Sequence, residues 1–210
     1  MTTTDDSNAG RTIIEEVRRI VAFVEETTGL SSRWNGGLLI LADGTDEAWA
    51  AQAMPRVSYR AKKEWSCSIT VMESIVEDDQ RWRTLLHECL HSVSIGLTEP
   101  SYQRLRLWEE PIVESLQRIY RPLLFQHLNL VADERQFQPL EATWLYNQAI
   151  DALKQVAAQR PEVPFRQLLE EMLRIPLPDR PAFLFNWGRG TADFERFKRV
   201  YAAASSVLRG

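Results

Sequence analysis

The first part of the chain shows two different periods of apolar and polar residues. From Thr12 to about Thr28 the apolar residues recur at three- and four-residue steps, which is the spacing of one face of an α-helix. Gly29 follows as a stop signal for this helix. Trp65 to Met72 instead alternates apolar and polar residues, and this period of two predicts a strand with one buried face.

Shorter signals predict the other elements of this part. Gly36-Gly37 precedes the apolar run Leu38–Leu41, which predicts a short strand. A helical turn is expected at Ala48–Ala53, and another strand at Val57–Arg60.

From about residue 78 onward the pattern becomes helical. Asp78 or Asp79 can cap a helix that continues to Gly96. The apolar run Phe183–Trp187 is expected to be a loop. Prolines separate further helical patterns, which lie around 101–108, 111–130, 137–159, 164–174 and 191–207. These elements predict an α+β fold, with a small mixed sheet and a flanking helix followed by a mainly helical C-terminal half.

Length and composition are those of a globular protein. The chain has 210 residues, of which 44% are apolar and 26% are charged, and these are ordinary values for a globular domain. We expect a flexible tail at 1–10, an α/β subdomain at 11–97 and a helical subdomain at 98–210. The two subdomains are expected to be fused into one compact unit.

Charge and hydropathy argue against several classes of partner. The net charge of −4 argues against direct nucleic-acid binding, which normally requires a basic surplus. No window approaches the roughly 18 apolar residues of a membrane-spanning helix, and the N-terminus lacks the pattern of a signal peptide. Two cysteines suit a reducing compartment. We therefore expect a cytoplasmic protein without a membrane partner, and the oligomeric state stays open.

The candidate chemistry lies in the sequence His87-Glu88-Cys89-Leu90-His91. Residues four apart lie on one face of a helix, so both imidazoles can bind one zinc ion at about 2.0–2.1 Å. Glu88 projects to the side of the metal, where it can take a proton from a water molecule that attacks a carbonyl carbon. This pattern predicts a hydrolytic zinc site with Glu88 as the general base.

The residues around this motif predict a buried helix. Apart from Glu88, no charged residue occurs between Thr84 and Ile95. A surface helix would carry lysines and glutamates here, so the helix is expected at the floor of a cleft.

A hydrolytic zinc site has three protein ligands and one open position. The third ligand can be His127, a cysteine or a carboxylate. Cys89 points to the opposite side of the helix from the two histidines. Cys67 lies in phase with the apolar side of its strand and is expected to be a buried thiol.

Trp108-Glu109-Glu110-Pro111 lies downstream of the motif, and with it the sequence resembles the gluzincins, the thermolysin- and aminopeptidase-like zinc metallopeptidases. In many of them a gap of 18 residues separates the second histidine from a glutamate ligand, and here residues 92 to 109 are that gap. The resemblance covers about residues 65–116 and implies a zincin-like fold with Glu110 as the third zinc ligand. Trp108 fits the aromatic or apolar residue that often precedes this glutamate, whereas Pro111 replaces the common glycine.

The neighbours of Glu110 complete the expected site. Glu109 is the alternative ligand, but one residue turns it about 100° away from the face that Glu110 shares with Glu114. The resemblance implies that Glu114 holds a zinc-binding histidine by a hydrogen bond. Pro111 disfavours helical geometry at residue 110, so Glu110 is expected at the start of its helix.

The resemblance also implies how substrate binds. A strand just before the active-site helix lines the cleft and pairs with an extended substrate, and Ser66–Met72 is in the matching place. A tyrosine or histidine of the helical half stabilises the oxyanion. The candidates for this donor are Tyr120, His127, Tyr146 and Tyr201.

The sequence therefore predicts a zinc metallopeptidase, a hydrolase that requires Zn²⁺ and acts on a peptide or protein substrate. One alternative is a dedicated regulatory protease that cleaves a single partner protein, such as a repressor or an immune-signalling factor. The other alternative is a catalytically silent binding protein that keeps a zincin fold.

Overall fold

A computed structural model of the chain describes residues 8–41, 51–57, 65–76, 78–131 and 133–209. Contacts between residues divide the chain into two units. The first comprises Met1–Val93 and Tyr120–Phe137, and the second comprises Ser94–Ile119 and Gln138–Gly210. The described residues are mostly helical with one small sheet, which is compatible with the α+β class.

The first unit contains a mixed three-stranded sheet. Its strands are β1 (Trp34–Leu41), β2 (Ala51–Val57) and β3 (Trp65–Met72), in the order β1-β3-β2. β1 pairs with β3 in parallel and β2 pairs with β3 in antiparallel orientation. Pro55 lies in β2, at an edge of the sheet, where a residue without a backbone N–H is tolerated.

Helix α1 (Asn8–Thr28) buries the apolar face that the sequence predicts. Ile13, Val17, Ile20 and Val24 are at most 1% exposed. The helix ends at the predicted stop, because Gly29 has a φ of +68° that favours glycine. It begins at Asn8, so the last three residues of the predicted tail at 1–10 are helical, and residues 1–7 lie outside the described range.

Two predictions near β2 are only partly met. The helical turn predicted at Ala48–Ala53 is wrong for residues 51–53, which pair with β3 as a strand. Of the strand predicted at Val57–Arg60, Val57 is the last residue of β2. Residues 48–50 and 58–60 lie outside the described range.

Strand β3 has the predicted bounds but is buried on both faces. Cys67, Ile69 and Val71 are at most 5% exposed, as the alternation predicts, yet Ser68 and Thr70 on the opposite face are also buried. Burial of both faces means that other parts of the chain cover both sides of this strand, which the alternation does not predict.

Two helices follow β3 in the first unit. The short α2 (Glu73–Val76) comes directly after the strand, and α3 (Arg81–Val93) packs against α1 and contacts β2. The predicted end of α3 at Gly96 lies three residues beyond the observed one.

Helix α4 (Glu99–Leu128) joins two predicted helical patterns, 101–108 and 111–130, into one element. Within this helix the backbone departs from helical geometry at Leu105, where φ is −129° and ψ is 20°. Pro111 has no N–H to donate to the carbonyl of Leu107, and the irregularity lies upstream of it. The prediction that Glu110 starts a helix is therefore wrong, because Glu110 lies in the interior of α4.

The second unit is formed by the first part of α4 and by the helices after residue 137. α6 contacts α9 and α7, and α8 contacts α7 and α9. Gly188, between α8 and α9, has no space for a Cβ, which would lie 2.0 Å from the ring of Phe197. The helices are α5 (Gln138–Ala142), α6 (Asn147–Ala157), α7 (Phe165–Arg174), α8 (Arg180–Trp187) and α9 (Phe194–Val207).

The prediction of a loop at Phe183–Trp187 is wrong, because this segment belongs to α8. Pro181 lies in its first turn, where its fixed φ suits a helix and its missing N–H breaks no bond. Leu184 is fully buried and Trp187 is 9% exposed, so tertiary packing stabilises this short helix.

Among the described residues, no helix combines the length and the apolar character that crossing a membrane requires.

Candidate metal centre

Helix α3 places the His-Glu-x-x-His motif in a buried environment. The turn before it is closed by Asp78, whose Oδ1 accepts a hydrogen bond from the N–H of Gln80 at 2.8 Å. His87, Glu88 and His91 are only 6%, 7% and 6% exposed. Burying one carboxylate and two imidazoles is costly unless they have partners, so this helix holds its polar groups in a specific arrangement.

The two histidines have the mutual geometry of ligands to one ion. Their Nε2 atoms are 3.2 Å apart, and their rings meet at 78° with centroids 4.9 Å apart. Two nitrogens at this separation, each about 2.0–2.1 Å from a common ion, subtend an angle of roughly 100–105° at that ion, close to the tetrahedral angle of about 109°. One turn of helix α3 therefore presents two of the four positions of a tetrahedral site.

Glu110 is the third candidate metal ligand. Together with His87 and His91 it forms what we call the metal-ligand group. Among the described residues, His87, His91 and Glu110 each offer one ligand atom, and these atoms all lie within 4.8 Å of one another. All three residues are buried. Two imidazoles and one carboxylate match the donors that zinc accepts in catalytic sites. The three residues can hold a metal ion, and they are the same three that the sequence predicts.

The carboxylate of Glu110 also has a partner that the sequence does not predict. The hydroxyl of Tyr102, in the first turns of α4, donates a hydrogen bond to Oε1 of Glu110. The two residues are eight positions apart, or about 12 Å along a regular helix. No regular helix spacing brings such residues together, and the irregularity at Leu105 lies between them.

Glu88 is next to His87 on α3 and is turned about 100° from it around the helix axis. Its side chain is buried, and its negative charge reaches the neighbouring strand β3, where it helps to raise the pKa of the Cys67 thiol. The role of Glu88 as a general base stays a prediction.

The alternative ligand, Glu109, has a different environment. Both Glu109 and Arg180 are fully buried, and they form an ion pair. Ser94 donates a hydrogen bond to Oε2 of Glu109 at 2.9 Å, and Arg180 also donates to the carbonyl oxygen of Trp108 at 3.2 Å. This network gives Glu109 a structural partner within the second unit and leaves Glu110 as the carboxylate of the metal-ligand group.

Glu114 is fully buried and forms an ion pair with Arg118, whose Nε donates to Oε1 at 2.9 Å. Arg118 in turn donates to Oδ1 of Asn147 at 3.1 Å. The implied hydrogen bond between Glu114 and a zinc-binding histidine stays a prediction.

The two cysteines are buried free thiols. Burial raises the pKa of Cys67 to about 11, and the charge of Glu88 adds to this effect, whereas Arg33 and His91 oppose it. Burial likewise raises the pKa of Cys89 well above its usual value. Because a metal ligand must be a thiolate, high pKa values are unfavourable for ligation. Neither cysteine belongs to the metal-ligand group.

Tyr146 is the candidate oxyanion donor whose environment is linked to Glu110. Burial raises the pKa of Tyr146, the charge of Glu110 raises it further, and Arg106 acts in the opposite direction. Its phenol therefore stays protonated at neutral pH and can donate a hydrogen bond.

The other three candidate donors have different surroundings. Tyr120 is fully buried and packs edge-to-face on Phe23 with ring centroids 6.4 Å apart. The ring of His127 also lies against Phe23, at 5.4 Å, and its side chain is exposed. The hydroxyl of Tyr201 donates to the carbonyl oxygen of Pro181 at 2.8 Å.

The strand expected to pair with substrate cannot do so through a free edge. β3 is central, and both of its edges are occupied, by β1 and by β2. Strand addition requires an unpaired edge, so the prediction that Ser66–Met72 binds an extended peptide by backbone pairing is wrong.

No protein-family model, curated protein or solved structure matches this chain.

Proposed function

We propose that this protein is a zinc-dependent peptidase of the gluzincin type, with a zincin-like fold. The observation that carries the proposal is the group His87, His91 and Glu110, whose ligand atoms lie within 4.8 Å of one another. A glutamate adjoins the first of these residues on the same buried helix. Binding of a structural metal does not require Glu88, so its presence favours catalysis.

The residues of the group fit zinc better than they fit a harder ion. Mg²⁺ and Ca²⁺ prefer six or more oxygen ligands, whereas two imidazoles and one carboxylate are a common zinc set. Zinc bound here would supply a Lewis acid that polarises a carbonyl group and makes water more acidic.

Glu88 would move the proton in the reaction. As a water oxygen forms a bond to the carbonyl carbon, the Glu88 carboxylate takes a proton from that water. The resulting carboxylic acid then gives the proton to the leaving nitrogen as the C–N bond breaks, so Glu88 returns to its starting state. The half-buried phenol of Tyr146 is our candidate to donate a hydrogen bond to the oxyanion.

Peptide or protein substrates follow from this chemistry, and the expected location is the cytoplasm. No direct binding to nucleic acid or membranes is proposed. A dedicated protease that cleaves one partner protein would use the same residues and would differ only in substrate range.

The test compares the wild-type protein with Glu88→Gln. This substitution keeps the size of the side chain and removes the proton acceptor, so the variant should bind one zinc per chain as the wild type does and should lose at least about 100-fold in turnover. Zinc content is measured on purified protein, and turnover on a denatured protein substrate and on native cell extract. Glu26→Gln, at an exposed position of α1, serves as the control that retains activity.

Each result has a separate meaning. Cleavage of one protein in the extract, without cleavage of the denatured substrate, favours the dedicated protease. Zinc binding without any cleavage by the wild type favours the silent binding protein. A wild-type protein that binds no zinc refutes the metal site itself.

A further inference from the structure

The hydrogen bond between Tyr102 and Glu110 links the metal-ligand group to the first turns of α4. Glu110 is 6% exposed. Tyr102 is half-buried, and its hydroxyl donates a hydrogen bond to Oε1 of Glu110. A buried carboxylate is stabilised by such a charge-assisted hydrogen bond, which also limits the orientations that the carboxylate can adopt.

The backbone that carries Tyr102 is fixed from the preceding turn. Thr98 and Ser101 form reciprocal bonds: the N–H of Thr98 donates to Oγ of Ser101 at 2.7 Å, and the N–H of Ser101 donates to Oγ1 of Thr98 at 3.2 Å. Ser101 also donates to the carbonyl oxygen of Gly96 at 3.0 Å. Such reciprocal capping stabilises a helix start, and here it anchors the residue directly before Tyr102.

The irregular backbone at Leu105 accounts for the contact. On a regular α-helix, residues eight apart are separated by about 12 Å along the axis and by about 80° around it. Because Leu105 is non-helical, the anchored first turns are offset from the rest of α4, and the phenol of Tyr102 meets the carboxylate of Glu110. The irregularity thus lies between an anchored donor, the hydroxyl of Tyr102, and a buried acceptor, the carboxylate of Glu110. Such an arrangement can hold the carboxylate in one orientation.

We propose that Tyr102 is the positioning residue of the carboxylate ligand. Its hydroxyl holds Glu110 in the orientation that, together with His87 and His91, binds the metal; this rests on the proposed metal site. Removal of an outer partner of a metal ligand typically lowers metal affinity about 10–100-fold. In this role Tyr102 acts on the metal only through Glu110.

The experiment measures zinc affinity by competition with a chelator for the wild type, Tyr102→Phe and Tyr201→Phe. Both variants remove one hydroxyl from a half-buried tyrosine and keep the ring, but Tyr201 donates its hydrogen bond to the backbone carbonyl of Pro181 and not to Glu110. We expect Tyr102→Phe to bind zinc about 10–100-fold more weakly than the wild type. Tyr201→Phe should match the wild type within twofold.

A double-mutant cycle tests whether Tyr102 acts through Glu110. In a Glu110→Ala background the same Tyr102→Phe substitution should leave zinc affinity unchanged, because its target is gone. An equal loss of affinity in both backgrounds would overturn the proposal, as would a Tyr102→Phe variant that binds zinc as tightly as the wild type. Thermal melting of the metal-free proteins separates affinity from stability: a lower melting temperature with unchanged zinc affinity also contradicts it.

A measurement without a substitution covers the case in which Tyr102→Phe does not fold. With 3-fluorotyrosine at position 102 alone, the fluorine resonance should shift when zinc neutralises the carboxylate that the phenol contacts. The same label at position 201 should not respond. An unchanged resonance at position 102 with zinc bound overturns the inference but leaves the metal site intact, whereas a wild type that binds no zinc refutes the proposed function instead.

Discussion

Two adjacent glutamates of α4 have different partners and therefore different expected roles. Glu109 forms a fully buried ion pair with Arg180, whereas Glu110 accepts a hydrogen bond from Tyr102 and lies with the two histidines. Removing one partner of a buried ion pair leaves an uncompensated charge, which costs about 3–5 kcal/mol. The hydrogen bond to Glu110 comes from a neutral phenol, so the main effect of replacing Glu110 should be on metal binding.

We predict that Glu109→Gln and Glu110→Gln separate stability from metal affinity. Glu109→Gln should lower the free energy of unfolding by about 3–5 kcal/mol and leave the zinc affinity of the folded protein nearly unchanged. Glu110→Gln should weaken zinc binding at least about tenfold with a smaller loss of stability. Urea unfolding in a chelator and zinc titration of the folded protein give the two quantities. A Glu109→Gln variant that loses more zinc affinity than Glu110→Gln would move the third ligand by one residue.

At the residue scale, the sequence predicts those site residues that are close together in the chain or are separated by a fixed number of residues. His87, Glu88 and His91 lie within five residues on one helix, and Glu110 follows at the family spacing. Arg180 has no such signal, because it is 71 residues from Glu109 and its partner depends on tertiary packing. Tyr102 is close in sequence, but its contact with Glu110 depends on an irregular backbone that no regular periodicity predicts.

At the scale of elements, β3 shows what a period of two can and cannot predict. The alternation gives the bounds Trp65–Met72 correctly, because the period follows from the strand itself. The order β1-β3-β2 and the burial of both faces depend on elements that come later or earlier in the chain. The apolar segment of α8 illustrates the same limit, since it is too short for helical periodicity to be recognised.

The central position of β3 leads to a prediction about Thr70. This residue is 3% exposed, and its Oγ1 has no hydrogen-bond partner among the described residues. A buried polar atom without a partner costs about 1–3 kcal/mol relative to an apolar group of the same shape. Thr70→Val, which replaces the hydroxyl by a methyl group, should therefore raise the free energy of unfolding by about 1 kcal/mol.

Urea unfolding of the metal-free protein measures this effect. The control is Thr28→Val in α1, because Thr28 is equally buried but donates to the carbonyl oxygen of Val24 at 2.7 Å. That variant loses a hydrogen bond and should be destabilised. If Thr70→Val is also destabilised, its hydroxyl has a partner, such as an ordered water, and the expected gain is refuted.

At the scale of the whole molecule, the chain crosses between its two units more than once. The sequence predicts a boundary near residue 97. The contacts divide the chain after Val93, but Tyr120–Phe137 belongs to the first unit. Helix α4 thus contributes residues to both units. A shift in composition or a proline cluster can mark a linker, whereas the interior of a continuous helix carries no such mark.

Metal binding provides a prediction for the whole molecule, because an ion that binds only the native state stabilises it against unfolding. At a free zinc concentration of 100 times Kd the gain is about 2.7 kcal/mol. For a chain of this size 1 kcal/mol shifts Tm by about 2–4 °C, so zinc should raise Tm by roughly 5–11 °C. The measurement is thermal unfolding after removal of metal, with and without added zinc.

Variants test whether the rise in Tm comes from zinc bound at the proposed centre. Glu88→Gln should keep the full shift, because Glu88 is not a proposed ligand, whereas His87→Ala should lose most of it. Lowering the pH should reduce the shift in the wild type, since protons compete with zinc for the ligand nitrogens. An equal rise of Tm with zinc in His87→Ala and in the wild type would mean that zinc binds elsewhere, and the proposed centre would be wrong.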